Sequence, residues 1–143
     1  MTTIRSITLA LAAAVLAGGM TGCGSSCHDS TPAVSSVPTS CTAQGGAQVK
    51  VPVHVCPSCD QSMPTCDVRF QGGTFVLEPV SQVCDQKSCP IVDPASCPFQ
   101  TMDCQLTAPS GGGPFPVVVA TSGAPIQFTL DVSGTGSSYS CSP

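Results

Sequence analysis

The chain has no tryptophan, one tyrosine and five phenylalanines among its 143 residues. A core built from it must rest on small aliphatic side chains. Recognition of sugars by ring stacking has little to draw on beyond Phe99, Phe115 and Tyr139. Positive charge is almost as scarce. Arg5, Lys50, Arg69 and Lys87 stand against Asp29, Asp60, Asp67, Glu78, Asp85, Asp93, Asp103 and Asp131. Nucleic-acid binding needs lysine and arginine to neutralise phosphates, and docking on an anionic lipid surface needs them too, so the charge balance argues strongly against the first and disfavours the second. The chain has two histidines, His28 and His54, and no Gly-x-Ser-x-Gly run, which leaves a Ser–His–Asp site without material. The stretch Ser110-Gly111-Gly112-Gly113-Pro114 lacks the Gly-Lys-Ser/Thr ending of a phosphate loop and reads as a linker between strands. Asp67, Asp103 and Asp131 fall on the outward parity of their segments, where they serve solubility rather than glycoside hydrolysis. No catalytic constellation emerges, and the chain is read as a non-enzyme without a cofactor. Long apolar runs are missing as well: Ile7–Ala17 is well short of the roughly 20 residues that cross a bilayer as a helix.

That short run has a definite setting. Met1–Ser6 is polar with one positive charge, Arg5; Ile7–Ala17 is rich in alanine and leucine; Gly18–Gly22 is built of small residues apart from Met20. A basic start, a short apolar middle and a small-residue end make a secretory signal. The run Met20-Thr21-Gly22-Cys23 closes it and resembles the acylation site of bacterial lipoprotein precursors, with Met20 where leucine is commoner. The resemblance covers the first 23 residues or so. It implies cleavage after Gly22, a diacylglyceryl group on the Cys23 thiol and acylation, typically by palmitate, of the new amino group. Two or more chains hold stably where one binds only marginally. It also implies a lipid-anchored protein of the cell envelope. Gly24, in place of the aspartate that commonly signals inner-membrane retention, points to an outer membrane. The alternative is cleavage after Ala17, giving a soluble product that keeps every cysteine.

Cysteine arithmetic favours the anchor. There are eleven cysteines, and assigning Cys23 to lipid leaves ten, an even number: Cys27, Cys41, Cys56, Cys59, Cys66, Cys84, Cys89, Cys97, Cys104 and Cys141. An exported chain lies where disulfides persist, so these ten are expected to pair, with partners the sequence does not specify. Cross-links are how a small exported domain makes good a deficit of large core side chains.

The organisation follows: signal peptide over residues 1–22, a Ser/Thr/Pro-rich tether over 23–40, and one cysteine-rich domain over 41–143. Past residue 22, three basic side chains oppose eight acidic ones, a net charge of −5. In Gln48–Cys56, Val49, Val51, Val53 and Val55 alternate with Lys50, Pro52 and His54, which predicts a half-buried strand. Pro52 should place it at a sheet edge or bulge. Cys66–Phe70 and Thr74–Glu78 flank Gln71-Gly72-Gly73 as a hairpin. Met102, Cys104 and Leu106 alternate, Cys66 and Cys104 both falling on inward parity. Phe115–Ala120 and Ile126–Val132 form a second hairpin around Ser122–Pro125. Residues 84–98, with three prolines and three cysteines, read as a long stapled loop. No segment past the signal has a helical period. The expected fold is all-β: a small antiparallel sandwich or barrel, stapled by disulfides.

Two clusters carry candidate chemistry. Cys56-Pro57-Ser58-Cys59 is a C-x-x-C, but it follows a valine-rich strand rather than opening a helix, so structural pairing outweighs thiol exchange. His54, Cys56, Cys59 and Met63 are soft ligands suited to Cu(I) or Zn, with His54 and Cys56 on one strand face; no second C-x-x-C completes a zinc site. His28-Asp29 lies five residues past the acceptor, in the expected tether. The function expected is therefore a non-catalytic envelope lipoprotein with a structural or partner-binding role, its partners the membrane and an unidentified envelope protein or ligand. The alternative is a metal or thiol redox protein using Cys56 and Cys59.

Overall fold

The computed structural model describes residues 27–56, 64–84 and 100–143. The signal segment, Cys23, Cys59, Met63, Cys89, Cys97, Phe99 and most of the expected stapled loop lie outside the described residues. Those described form ten strands and no helix: β1 (Cys27–Ser30), β2 (Ala33–Ser36), β3 (Ser40–Gly45), β4 (Gln48–Cys56), β5 (Thr65–Gln71), β6 (Thr74–Cys84), β7 (Gln100–Thr107), β8 (Gly113–Val119), β9 (Ile126–Thr135) and β10 (Tyr139–Ser142). They make a sandwich of two sheets. The larger runs β1-β6-β8-β9-β3-β10, with β5 also on β6; the smaller runs β2-β4-β7.

The core is aliphatic, as the shortage of aromatics requires. Val49, Val51, Val53 and Val55 of β4 are wholly buried. With Cys104 and Leu106 of β7 they form one side of the core cluster, and Leu77, Val117, Val119, Phe128, Leu130 and Val132 form the other. β-branched side chains at every second position suit a pleated surface with one buried face. The alternation of valine with Lys50, Pro52 and His54 thus fixes both the strand and its inward face.

Both expected hairpins form. β5 and β6 pair from Gln71↔Thr74 to Thr65↔Val80, and Gly72 and Gly73 turn the chain at φ of 57° and 82°. Two successive positive φ angles are what a two-residue hairpin turn demands and what glycine supplies without strain. β8 and β9 pair from Val119↔Ile126 onward, with Gly113 and Pro114 already inside β8 rather than in a linker.

Three expectations need correction. First, the larger sheet is mixed while the smaller is antiparallel: β6 pairs β8 in parallel and β3 pairs β9 in parallel. The chain leaves β6, forms β7 in the smaller sheet and returns as β8; such an excursion brings it back pointing the same way. Second, β4 is not an edge strand throughout. It lies between β2 and β7, but β2 reaches only His54, Val55 and Cys56. Pro52 sits past the end of β2, paired with Asp103 of β7 alone. A missing N–H on the open side costs no ladder bond there. Third, residues 27–40 belong to the sandwich. β1 pairs Ser81–Cys84 of β6, and β2 pairs β4 in the other sheet. Ser/Thr/Pro composition suggested a tether, yet Pro32 and Pro38 are buried and Val34 and Val37 pack on the core. The Val34 N–H donates to Thr121 Oγ1 at 3.1 Å. Ser81, a buried polar residue, donates its hydroxyl to the Ser30 carbonyl at 3.3 Å.

Candidate functional site

Disulfides brace both layers. Cys27 and Cys84 are directly opposite on β1 and β6, and Cys41 and Cys141 on β3 and β10, each pair with Cα atoms 4.1 Å apart. Cys66 and Cys104 join β5 to β7, with a Cα separation of 5.3 Å, and so bond one sheet to the other. Cys56 is disulfide-bonded too. Cys104 is fully buried and Cys66 half-buried, on the parity shared with Val68. The three described bonds close 57, 100 and 38 residues of sequence. Each is worth typically about 2–4 kcal/mol, without simple addition.

His54 and Cys56 do share the face of β4 opposite the valines. His54 lies opposite Thr101 of β7, whose Oγ1 is 3.4 Å from His54 Nδ1, and the His54 carbonyl accepts from Ser35 Oγ at 3.1 Å. A metal site here would need a Cys56 thiolate, and that sulfur is bonded to another sulfur. Among the described residues, no group of three or more His, Cys, Asp or Glu is placed to hold a metal ion. His28 and Asp29 are exposed neighbours on β1, facing Val83 and Gln82 across the ladder. Successive strand residues project to opposite faces, so they do not form a dyad.

The three strand carboxylates are exposed as their parity implied. Asp67 faces Glu78 across β5 and β6, a like-charge pair, and Arg69 Nη2 offsets it with a 2.7 Å bond to Glu78 Oε2. An ion pair this exposed contributes little to stability.

A concavity opens at the β5–β6 turn. Phe70 and Phe75 are register partners, with ring centroids 4.5 Å apart. Phe115 stands edge-on to both, at 6.0 and 6.3 Å. Phe75 is buried, whereas Phe70 is 50% exposed. The two rings form one wall of an open cleft of about 480 Å³; Gly46 and the segment from Thr107 through Pro109 and Ser110 to Gly111 form the other. Thr107 Oγ1 accepts from Gln48 Nε2 at 2.8 Å. A hydroxyl that accepts in this way keeps its own proton to donate. Among the described residues, no charged side chain lines the cleft.

Sequence reasoning named Phe115 as an aromatic contact, and the structure brings it against this cluster, but it missed Phe70 and Phe75. The available signal was position: an aromatic beside a Gly-Gly turn sits at a hairpin tip. Tyr139 lies apart, exposed on β10 in a smaller depression with Gln44 and Ser138. No family model matches the chain, and no curated protein or solved structure is similar to it.

Proposed function

We propose that this chain is a non-catalytic lipoprotein of the cell envelope, anchored through Cys23 in an outer membrane, with a structural or partner-binding role. The observation that carries the reading is the disulfide framework of a sandwich whose core has few aromatics. Such bonds persist in exported proteins and are reduced in the cytosol. The Cys56 disulfide favours the structural role of the C-x-x-C over a metal-bound thiolate.

Where β1 begins bears on how the protein would sit. Three residues separate Cys23 from Cys27, and that link spans at most about 14 Å. An acylated Cys23 therefore holds the sandwich close against the bilayer, a shorter leash than a tether through residue 40 would give.

Labelled palmitate fed to cells making the full chain tests the reading. Label is expected in the wild-type protein and in the membrane pellet. Cys23→Ser should carry no label and leave the pellet, or accumulate unprocessed. A variant that matures and pellets as before overturns the anchor.

A further inference from the structure

We infer that the cleft between Phe70 and the Thr107–Gly111 segment binds an uncharged sugar ring of a glycan. Three observations converge. The Phe70 ring is 50% exposed, yet Phe75 behind it and Phe115 beside it fix its plane. A braced, open aromatic face is rigid and presents the negative side of its π-system; the C–H bonds on one face of a pyranose are its polar complement. The opposite wall supplies hydroxyls, Thr107 and Ser110, and Thr107 is oriented by Gln48 with its proton free to reach a ligand oxygen. Among the described residues nothing charged lines the site, so none of them offers phosphate, carboxylate or ammonium groups a charged partner. An apolar peptide segment meets the hydroxyls only through its backbone, whereas a single sugar ring presents both a C–H face and hydroxyl groups. A volume of about 480 Å³ lies within the usual range for small-ligand sites.

The cleft's place in the fold adds direction. Phe75 and Cys84 mark opposite ends of β6, nine residues and about 30 Å apart. Cys84 holds Cys27, where the chain arrives from the anchor. The cleft is thus at the pole away from the membrane, reaching outward. That orientation rests on the anchored-lipoprotein reading; the sugar contact does not, and its test needs no membrane.

The test is saturation-transfer NMR on the purified full chain in a zwitterionic detergent without sugar groups. The probes are maltotetraose, tetra-N-acetylchitotetraose and a Pro/Leu octapeptide. Saturation is expected on the ring C–H protons of at least one saccharide. Phe70→Ala should weaken that binding about tenfold, as loss of one aromatic stack does, while Phe70→Tyr retains it. Thr107→Val, which keeps the shape and removes the hydroxyl, should also weaken the saccharide. Phe70→Ala also removes the ring's contacts with Phe75 and Phe115 and should lower the melting temperature; Thr107→Val, on the opposite wall, is the readout that does not depend on that cluster. The inference is overturned if neither saccharide receives saturation, if both Phe70 variants bind like wild type, or if only the octapeptide gives a signal that depends on Phe70.

Discussion

Cys66 on β5 is bonded to Cys104 on β7, and among the three described disulfides this one alone joins the two sheets. The other two tie strands already held by ladder hydrogen bonds. In a sandwich whose facing layers share few large side chains, a covalent bond through the core constrains their separation directly.

Replacing Cys66 and Cys104 together by alanine should therefore cost about 2–4 kcal/mol in denaturant melts. Cys104 is wholly buried, so the loss includes a cavity as well as the cross-link. Thiol labelling of unreduced wild-type protein should leave Cys27, Cys41, Cys56, Cys66, Cys84, Cys104 and Cys141 unmodified. Labelling of any of them before reduction would contradict the framework.

The face assignment of β4 is tested by adjacent substitutions. Val53 is wholly buried and His54 faces outward beside Thr101. Val53→Asp places an unpaired carboxylate in the core and should cost more than about 3 kcal/mol. His54→Asp should cost several times less. Equal losses would refute the register.

Gly45 sits where β3, β9 and the loop after β7 converge. A Cβ there would lie 3.0 Å from the Gly134 carbonyl, 3.1 Å from that of Pro109 and 3.1 Å from the Ser110 Cα. All three are backbone, which cannot rotate away. Gly45→Ala should destabilise by about 1–3 kcal/mol. Gly123→Ala, in open space at the β8–β9 turn, should stay within about 0.5 kcal/mol. Thermal melts of the two variants check the contrast.

How much of this was legible in the sequence depended on the range of the interaction. Period-two alternation is local, so β4, the two hairpins and the inward parity of Cys66 and Cys104 could be read directly. β3 and β10 could not: Ser40–Gly45 and Tyr139–Ser142 carry little apolar alternation and become strands by pairing across a hundred residues, fastened by Cys41–Cys141. β1 and β2 were hidden by composition, because the burial of Pro32 and Pro38 depends on surfaces supplied from elsewhere in the chain. Parallel pairing of β6 with β8 depends on the excursion through β7, a fact of topology. The cleft was illegible for the same reason. Phe70 has inward parity, yet it ends half-exposed beside the turn, and its opposing wall comes from residues near Thr107.

The measurement that bears most directly on the central claim is mass spectrometry of the N-terminal peptide of the mature protein from its native envelope. The expected peptide begins at Cys23 and carries a diacylglyceryl group on sulfur and an acyl chain on the amino group. A peptide beginning at Gly18, with an unmodified Cys23 inside it, would contradict the anchored lipoprotein.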